Sequence, residues 1–192
     1  MLAADILNHA RYIAAGEWSV QYTLPLHLCD ISLYLCIIML LSNSFRVYET
    51  AYFWGLGGVT QALLTPDLGY YSFPHFVFYQ FFIAHGAIVV SCLFMTVVNK
   101  FRPALKSIWK TILITNAYAA VIAVFNQFTG ANYLFICRKP AAGSLMDHLG
   151  PWPWYLISLE FVALALFFVL YLPFIIIDIP ADKKSTGRGI SG

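Results

Sequence analysis

Leu24-Pro25-Leu26-His27-Leu28-Cys29-Asp30 opens an apolar run that continues to Leu41. It gathers an imidazole, a thiol and a carboxylate within four positions. The run behind it is of helix length and lacks the alternation of a barrel strand, so it reads as a membrane helix. Ionisable groups are costly in hydrocarbon. Their presence at this helix end points to a site that faces into a helical bundle. Pro25 fits the first helical turn, where a missing N–H costs nothing.

The rest of the chain has the same character. Of 192 residues, 60% are hydrophobic and only 10% are charged, against about 25% in a soluble domain. Mean hydropathy is +0.74. The net charge of +2 comes without a basic tract long enough to hold nucleic acid. The expectation is an all-α fold, a polytopic helical membrane bundle with five full spans near residues 24–41, 52–64, 74–98, 108–128 and 152–177. Residues 1–178 form one transmembrane domain and 179–192 a polar, mobile tail. In Met1–Trp18, Leu2, Ile6 and Ile13 fall near helical spacing with Asp5, Asn8 and Arg11 between them. That segment reads either as an amphipathic surface helix or as the tail of a membrane helix. Asp5, Arg11 and Glu17 interrupt any signal-peptide core.

Four cysteines are present, Cys29, Cys36, Cys92 and Cys137, and none forms a CxxC pair. A disulfide framework and a cysteine-rich zinc site are not expected, and no metal or cofactor is called for. Cys36 and Cys92 read as packing residues. His75 and His148 read as interfacial. The candidate polar groups approach from the same outer membrane face, and the topology permits them to meet. Cys29 is about 6 Å along its helix from Pro25, His85 about 16 Å from Pro74, and Glu160 about 12 Å from Trp152. His27 and Asp30, three apart, share a helix face, whereas Cys29 lies on the far side from His27. Pairing of Cys29 or His27 with His85 across helices is therefore easier than a Cys29–His27 dyad. Simpler roles stand beside these: His27 with Asp30 as a helix-end anchor, Cys29 as a small buried hydrophobe, and Glu160 as a clamp between helices. No phosphate loop, nucleophile elbow or H-E-x-x-H zinc motif occurs.

The motif at 24–30, then Pro74-His75, Phe82-Ile83-Ala84-His85-Gly86, Asn132-Tyr133-Leu134 and Trp152-Pro153-Trp154-Tyr155, resembles in order the YwaF family of bacterial integral membrane proteins. Members look like six-helix proteins, so the resemblance favours a partial first helix before Glu17. The family is similar to animal transmembrane protein 164, a cysteine-dependent acyltransferase of ether phospholipids. More distantly it is similar to membrane hydrolases of fatty-acid esters that use threonine and histidine. The resemblance implies a membrane-lipid acyltransferase or hydrolase with a lipid acyl substrate. Cys29 would be the nucleophile and His85 or His27 the base, with Asp30 orienting an imidazole. Thr23 is the alternative nucleophile. Asn132 and Tyr133 would cover the site and donate to an oxyanion, and Glu160 would line it. The alternative is a transporter or small-ligand binder with a polar cavity of His27, Asp30, His85 and Glu160. A metal site from the same four residues ranks last, because no i, i+4 histidine pair is present.

Five spans put Arg46, Lys100, Arg102, Lys106, Lys110, Lys183, Lys184 and Arg188 on one side, and only Arg11, Arg138 and Lys139 on the other. The positive-inside rule makes the first side cytoplasmic, in a multi-pass protein of the cell membrane with a cytoplasmic C-terminal tail. A reporter fused after Ile177 should therefore read as cytoplasmic. An extracytoplasmic reading would reverse the topology.

Overall fold

A computed structural model describes residues 2–66, 68, 71, 73–140 and 143–186, leaving out the side chains of 2–5, 8 and 177–186. The described residues are mostly helical, with no strand among them. The helices are α1 (Leu2–Ala14), α2 (Leu28–Ser42), α3 (Phe45–Phe53), α4 (Thr60–Leu64), α5 (Phe76–Val97), α6 (Leu105–Thr129) and α7 (Trp154–Thr186), with a π-helical segment, Trp54–Val59, joining α3 to α4. Among the described residues, three helices are long and apolar enough to cross a membrane: Phe76–Val97, Leu105–Thr129 and Trp154–Ile176. α2 is apolar but only 15 residues long. It starts later than Pro25 because the chain turns through residues 20–27 first, and His27, in extended geometry, is its N-cap. Part of the expected polar tail, residues 179–186, continues α7, and residues 187–192 lie outside the described residues.

The expected short second span is the middle of the molecule. α2 ends where Asn43 takes a left-handed conformation (φ 48°), a geometry asparagine tolerates at helix ends. The chain then runs helically from Phe45 to Leu64. Tyr48 through Gly55 are buried without a break, as are Gly57 and Val59. A helix apolar on all sides is one surrounded by others, and this one packs on α2, α5, α6 and α7. Its glycines set the distances. A Cβ on Gly55 would stand 2.8 Å from the Cys92 sulfur and 2.9 Å from Ile88 Cγ2, and one on Gly57 would stand 3.3 Å from Leu166. Small residues allow such backbone approach between membrane helices. Tyr52 adds a hydrogen bond to the Leu170 carbonyl (2.9 Å), and Trp54 one to Thr115 Oγ1 (2.8 Å).

One charged residue anchors the start of this central run. Glu49 is buried and receives Ser107 Oγ at 2.5 Å and Lys110 Nζ at 2.6 Å. Burial alone would raise its carboxyl pKa. The hydrogen bonds from Lys110 and Ser107, with the charges of Lys110 and Lys106, outweigh that and hold it below the ordinary value. Glu49 precedes the expected span at 52–64, so this ion pair fastens α3 to α6 near the membrane edge.

Two measurements follow from this packing. Gly55→Ala should destabilise the bundle by about 1–3 kcal/mol through overpacking. Gly58→Ala, with nothing within 4 Å of the new methyl, should be neutral or stabilising by up to about 1 kcal/mol. Thermal unfolding in detergent compares them. A carboxyl depressed in the folded state contributes stability above its unfolded pKa of about 4.3 and loses it as pH falls through the lower folded value. Wild type should therefore lose more stability between about pH 6 and pH 3 than Glu49→Gln does. The variant should be less stable at neutral pH.

Candidate functional site

α2 and α5 lie side by side and run in the same direction. Two contacts establish this. The Cys36 and Cys92 sulfurs are 3.9 Å apart, and Asn99 Nδ2 donates to Asn43 Oδ1 at 2.5 Å. The residues of each pair are separated by 56 positions, and the pairs are seven residues apart on both strands of the seam. Burial repeats the register: Ser32, Cys36 and Met39 are buried on α2, and Ile88, Cys92 and Met95 on α5. The spacing alternates three and four residues, as in the a and d positions of a parallel helix pair. Continued one heptad outward from Cys36 and Cys92, about 10.5 Å, the same spacing reaches position 29 on α2 and position 85 on α5. Both side chains are half-buried, and Cys29 packs against the main apolar core.

His85 is held by its own helix. Its Nδ1 is 2.8 Å from the Phe81 carbonyl, and its ring stacks on Phe81 at 3.9 Å. A carbonyl only accepts, so Nδ1 carries the hydrogen and Nε2 keeps its lone pair. Cys29 sits in the first turn of α2, where the unpaired N–H groups favour negative charge.

His27 and Asp30 turn the other way. Asp30 Oδ2 accepts the His27 backbone N–H at 3.1 Å, which caps the helix. The His27 ring meets the rings of Tyr133 (5.3 Å) and Phe135 (5.2 Å). Together with His9, Tyr12, Tyr22 and Thr23, these two residues line a polar pocket of about 220 Å³. Thr23 Oγ1 accepts the Ser19 N–H at 2.9 Å.

The remaining site candidates serve as fasteners. The Tyr133 hydroxyl accepts from Leu24 N and donates to Val20 O, each at 2.9 Å. The Tyr133 backbone is clamped on both sides by the Asn126 side chain, at 3.0 and 2.9 Å. Burial raises the Tyr133 phenol above its ordinary value, so it stays protonated and can donate. The Asn132 amide is engaged by Cys137 N, Arg138 N and Arg138 O within its own loop. Leu134 and Phe135, which follow, are both left-handed (φ 59° and 53°), a strained pair for non-glycine residues. Tyr155 Oη holds them by donating to the Phe135 carbonyl. This loop covers His27. Glu160 Oε1 receives Asn116 Nδ2 at 2.7 Å and so ties α7 to α6. His75 caps α5, its Nδ1 accepting from Val77 N at 3.2 Å. Among the described residues, no three His, Cys, Asp or Glu side chains gather as a metal-ligand set.

Sequence reasoning missed two features. The register of 56 is visible in the paired spacings 29-32-36-39-43 and 85-88-92-95-99, but only once both helices are known to run parallel. Asn126, a polar residue within the fourth span, is the clamp of the covering loop. Its signal is its position at the last turn, just before Gly130, which ends α6 with a φ of 71°.

A model of the TMEM164 family matches residues 1–171. No curated protein and no solved structure matches the chain. With nearly its whole length covered by that match, the chain belongs to the TMEM164 family.

Proposed function

We propose that this TMEM164-family chain is a multi-pass membrane enzyme that transfers or hydrolyses lipid acyl groups, with Cys29 as nucleophile and His85 as base. The supporting observation is the 56-residue spacing of Cys36–Cys92 and Asn43–Asn99, which positions 29 and 85 share, together with a His85 tautomer that leaves Nε2 free to accept a proton. The quoted motifs support the finer YwaF-type assignment, a bundle of five spans, and a cell-membrane location with the tail in the cytoplasm.

In this mechanism His85 Nε2 takes the thiol proton as Cys29 Sγ bonds to the acyl carbonyl carbon. The carbonyl π pair moves to oxygen. Collapse of that oxyanion breaks the bond to the leaving alkoxide, which takes the proton from His85, and a Cys29 thioester remains. An acceptor hydroxyl or water then releases the acyl group by the reverse sequence. Membrane lipid is the substrate, entering from the outer leaflet. His27 and Asp30 shape the pocket beside the helix end, and the 132–138 loop covers it.

The transport reading has less support. Glu160 is engaged with Asn116 on α6, while His27 and Asp30 line a pocket at the N-terminal end of α2.

The test is labelling in native membranes with a thiol-reactive lipid probe. Wild type is run beside Cys29→Ala, Thr23→Ala and His85→Ala at matched expression. With the exposed free thiol of Cys137 changed to Ser in every protein, labelling should vanish in Cys29→Ala, fall about 100-fold in rate in His85→Ala, and persist in Thr23→Ala. Equal labelling in all four, or none in wild type, would overturn the acyl-enzyme reading.

A further inference from the structure

Hydroxyls inside these helices follow one habit. Ser42, Ser91, Thr96, Thr111, Thr115 and Thr129 each donate to the carbonyl four residues back, at 2.6 to 2.8 Å. That bond satisfies a hydroxyl that the hydrocarbon cannot. Ser32 departs from it. The residue is 0% exposed and its Oγ has no hydrogen-bond partner. An orphaned hydroxyl in a dry interior costs about 1–3 kcal/mol, and packing alone would be better served by alanine. Such a group calls for a partner that arrives later.

Its place in the fold narrows the choice. Ser32 is on the α2 seam, in the layer between Cys36–Cys92 and Cys29–His85, with Ile88 as its register mate. It is three residues after Cys29 and shares its face. Side chains lean toward the helix N-terminus, so the Ser32 hydroxyl leans toward the Cys29 turn. The His85 ring stacks on Phe81, one turn nearer the start of α5.

We propose that Ser32 is the oxyanion donor of the Cys29–His85 site, its hydroxyl turning onto the carbonyl oxygen of the acyl group as Cys29 attacks. The step rests on the acyl-transfer reading above. The hydrogen stays on Ser32 throughout. As the sulfur–carbon bond forms, the hydroxyl donates to the oxygen that gains the electron pair, and it is released when the leaving alkoxide departs. A donor that lacks a partner at rest and gains one at the tetrahedral stage stabilises the transition state selectively.

The experiment uses the purified full chain in detergent with p-nitrophenyl octanoate, reading the nitrophenol burst and the octanoyl thioester by mass. Ser32→Ala should lower the acylation rate about 100-fold, leave KM within about twofold, and leave thermal stability equal or higher. Ser32→Thr, which keeps a hydroxyl, should retain most of the rate. Alkylation of Cys29 by iodoacetamide, which forms no oxyanion, should be the same in all three. A Ser32→Ala enzyme that acylates like wild type would overturn the assignment and leave Ser32 a packing residue, with the acyl-transfer reading intact. Equal losses of acylation and alkylation would also overturn it, because the effect would then be on the seam and not on the oxyanion. No thioester in wild type would overturn both readings.

Discussion

The bundle depends on the absence of a side chain at Gly55. There the central helix approaches α5 so closely that even a methyl group would press on the Cys92 sulfur and the Ile88 side chain. Membrane helices gain little from hiding apolar surface from one another, since lipid is equally apolar, so close packing must supply the cohesion. The contact at Gly55 brings α5 onto the central run, and α2, which precedes that run through a tight turn at Asn43, is brought against α5. The π-helical segment that begins at Trp54 lies at this point. Each added residue in such a segment redirects the turns that follow, which lets Gly55 face α5 while Gly57 faces α7.

From that packing the site's depth follows. α2 and α5 behave as a parallel pair with layers of cysteines, methionines and asparagines, and the asparagine layer closes the pair at one end. The same spacing, continued to the opposite end, reaches Cys29 and His85. The motif at 24–30 is thereby divided. Cys29 turns to the seam, while His27 and Asp30 turn to a polar pocket under a strained loop. The loop is held by Asn126, Asn132 and Tyr155, so the strain at Leu134 and Phe135 is sustained by bonds from three different parts of the chain.

Much of this was legible in the residues. Low charge and long apolar runs announced a helical membrane protein, and the third, fourth and fifth spans appear within a few residues of where hydropathy put them. The short second span was harder. Hydropathy begins at Tyr52, but the helix begins at Phe45, because Glu49 is matched by Ser107 and Lys110 and so can be buried despite its charge. Pro25 suggested a first helical turn, yet the helix waits for the cap formed by Asp30. The separation of Cys29 from His27 could be read from helical geometry alone. The roles of Asn132 and Tyr133 could not, since their hydrogen bonds run to backbone groups that no sequence pattern marks.

The 56-residue register has a bearing on which changes of length the chain can absorb. The depth of His85 is fixed by the layers at Cys36–Cys92 and Asn43–Asn99, and not by the connection between α4 and α5. Residues added to or removed from that connection would alter the path of the chain while leaving positions 29 and 85 in the same register. A single residue inserted in α5 between His85 and Ile88 would instead swing the imidazole by about 100° around the helix and raise it by about 1.5 Å. Variation in length should accordingly gather in the connections and be shut out of the ten positions that form the seam.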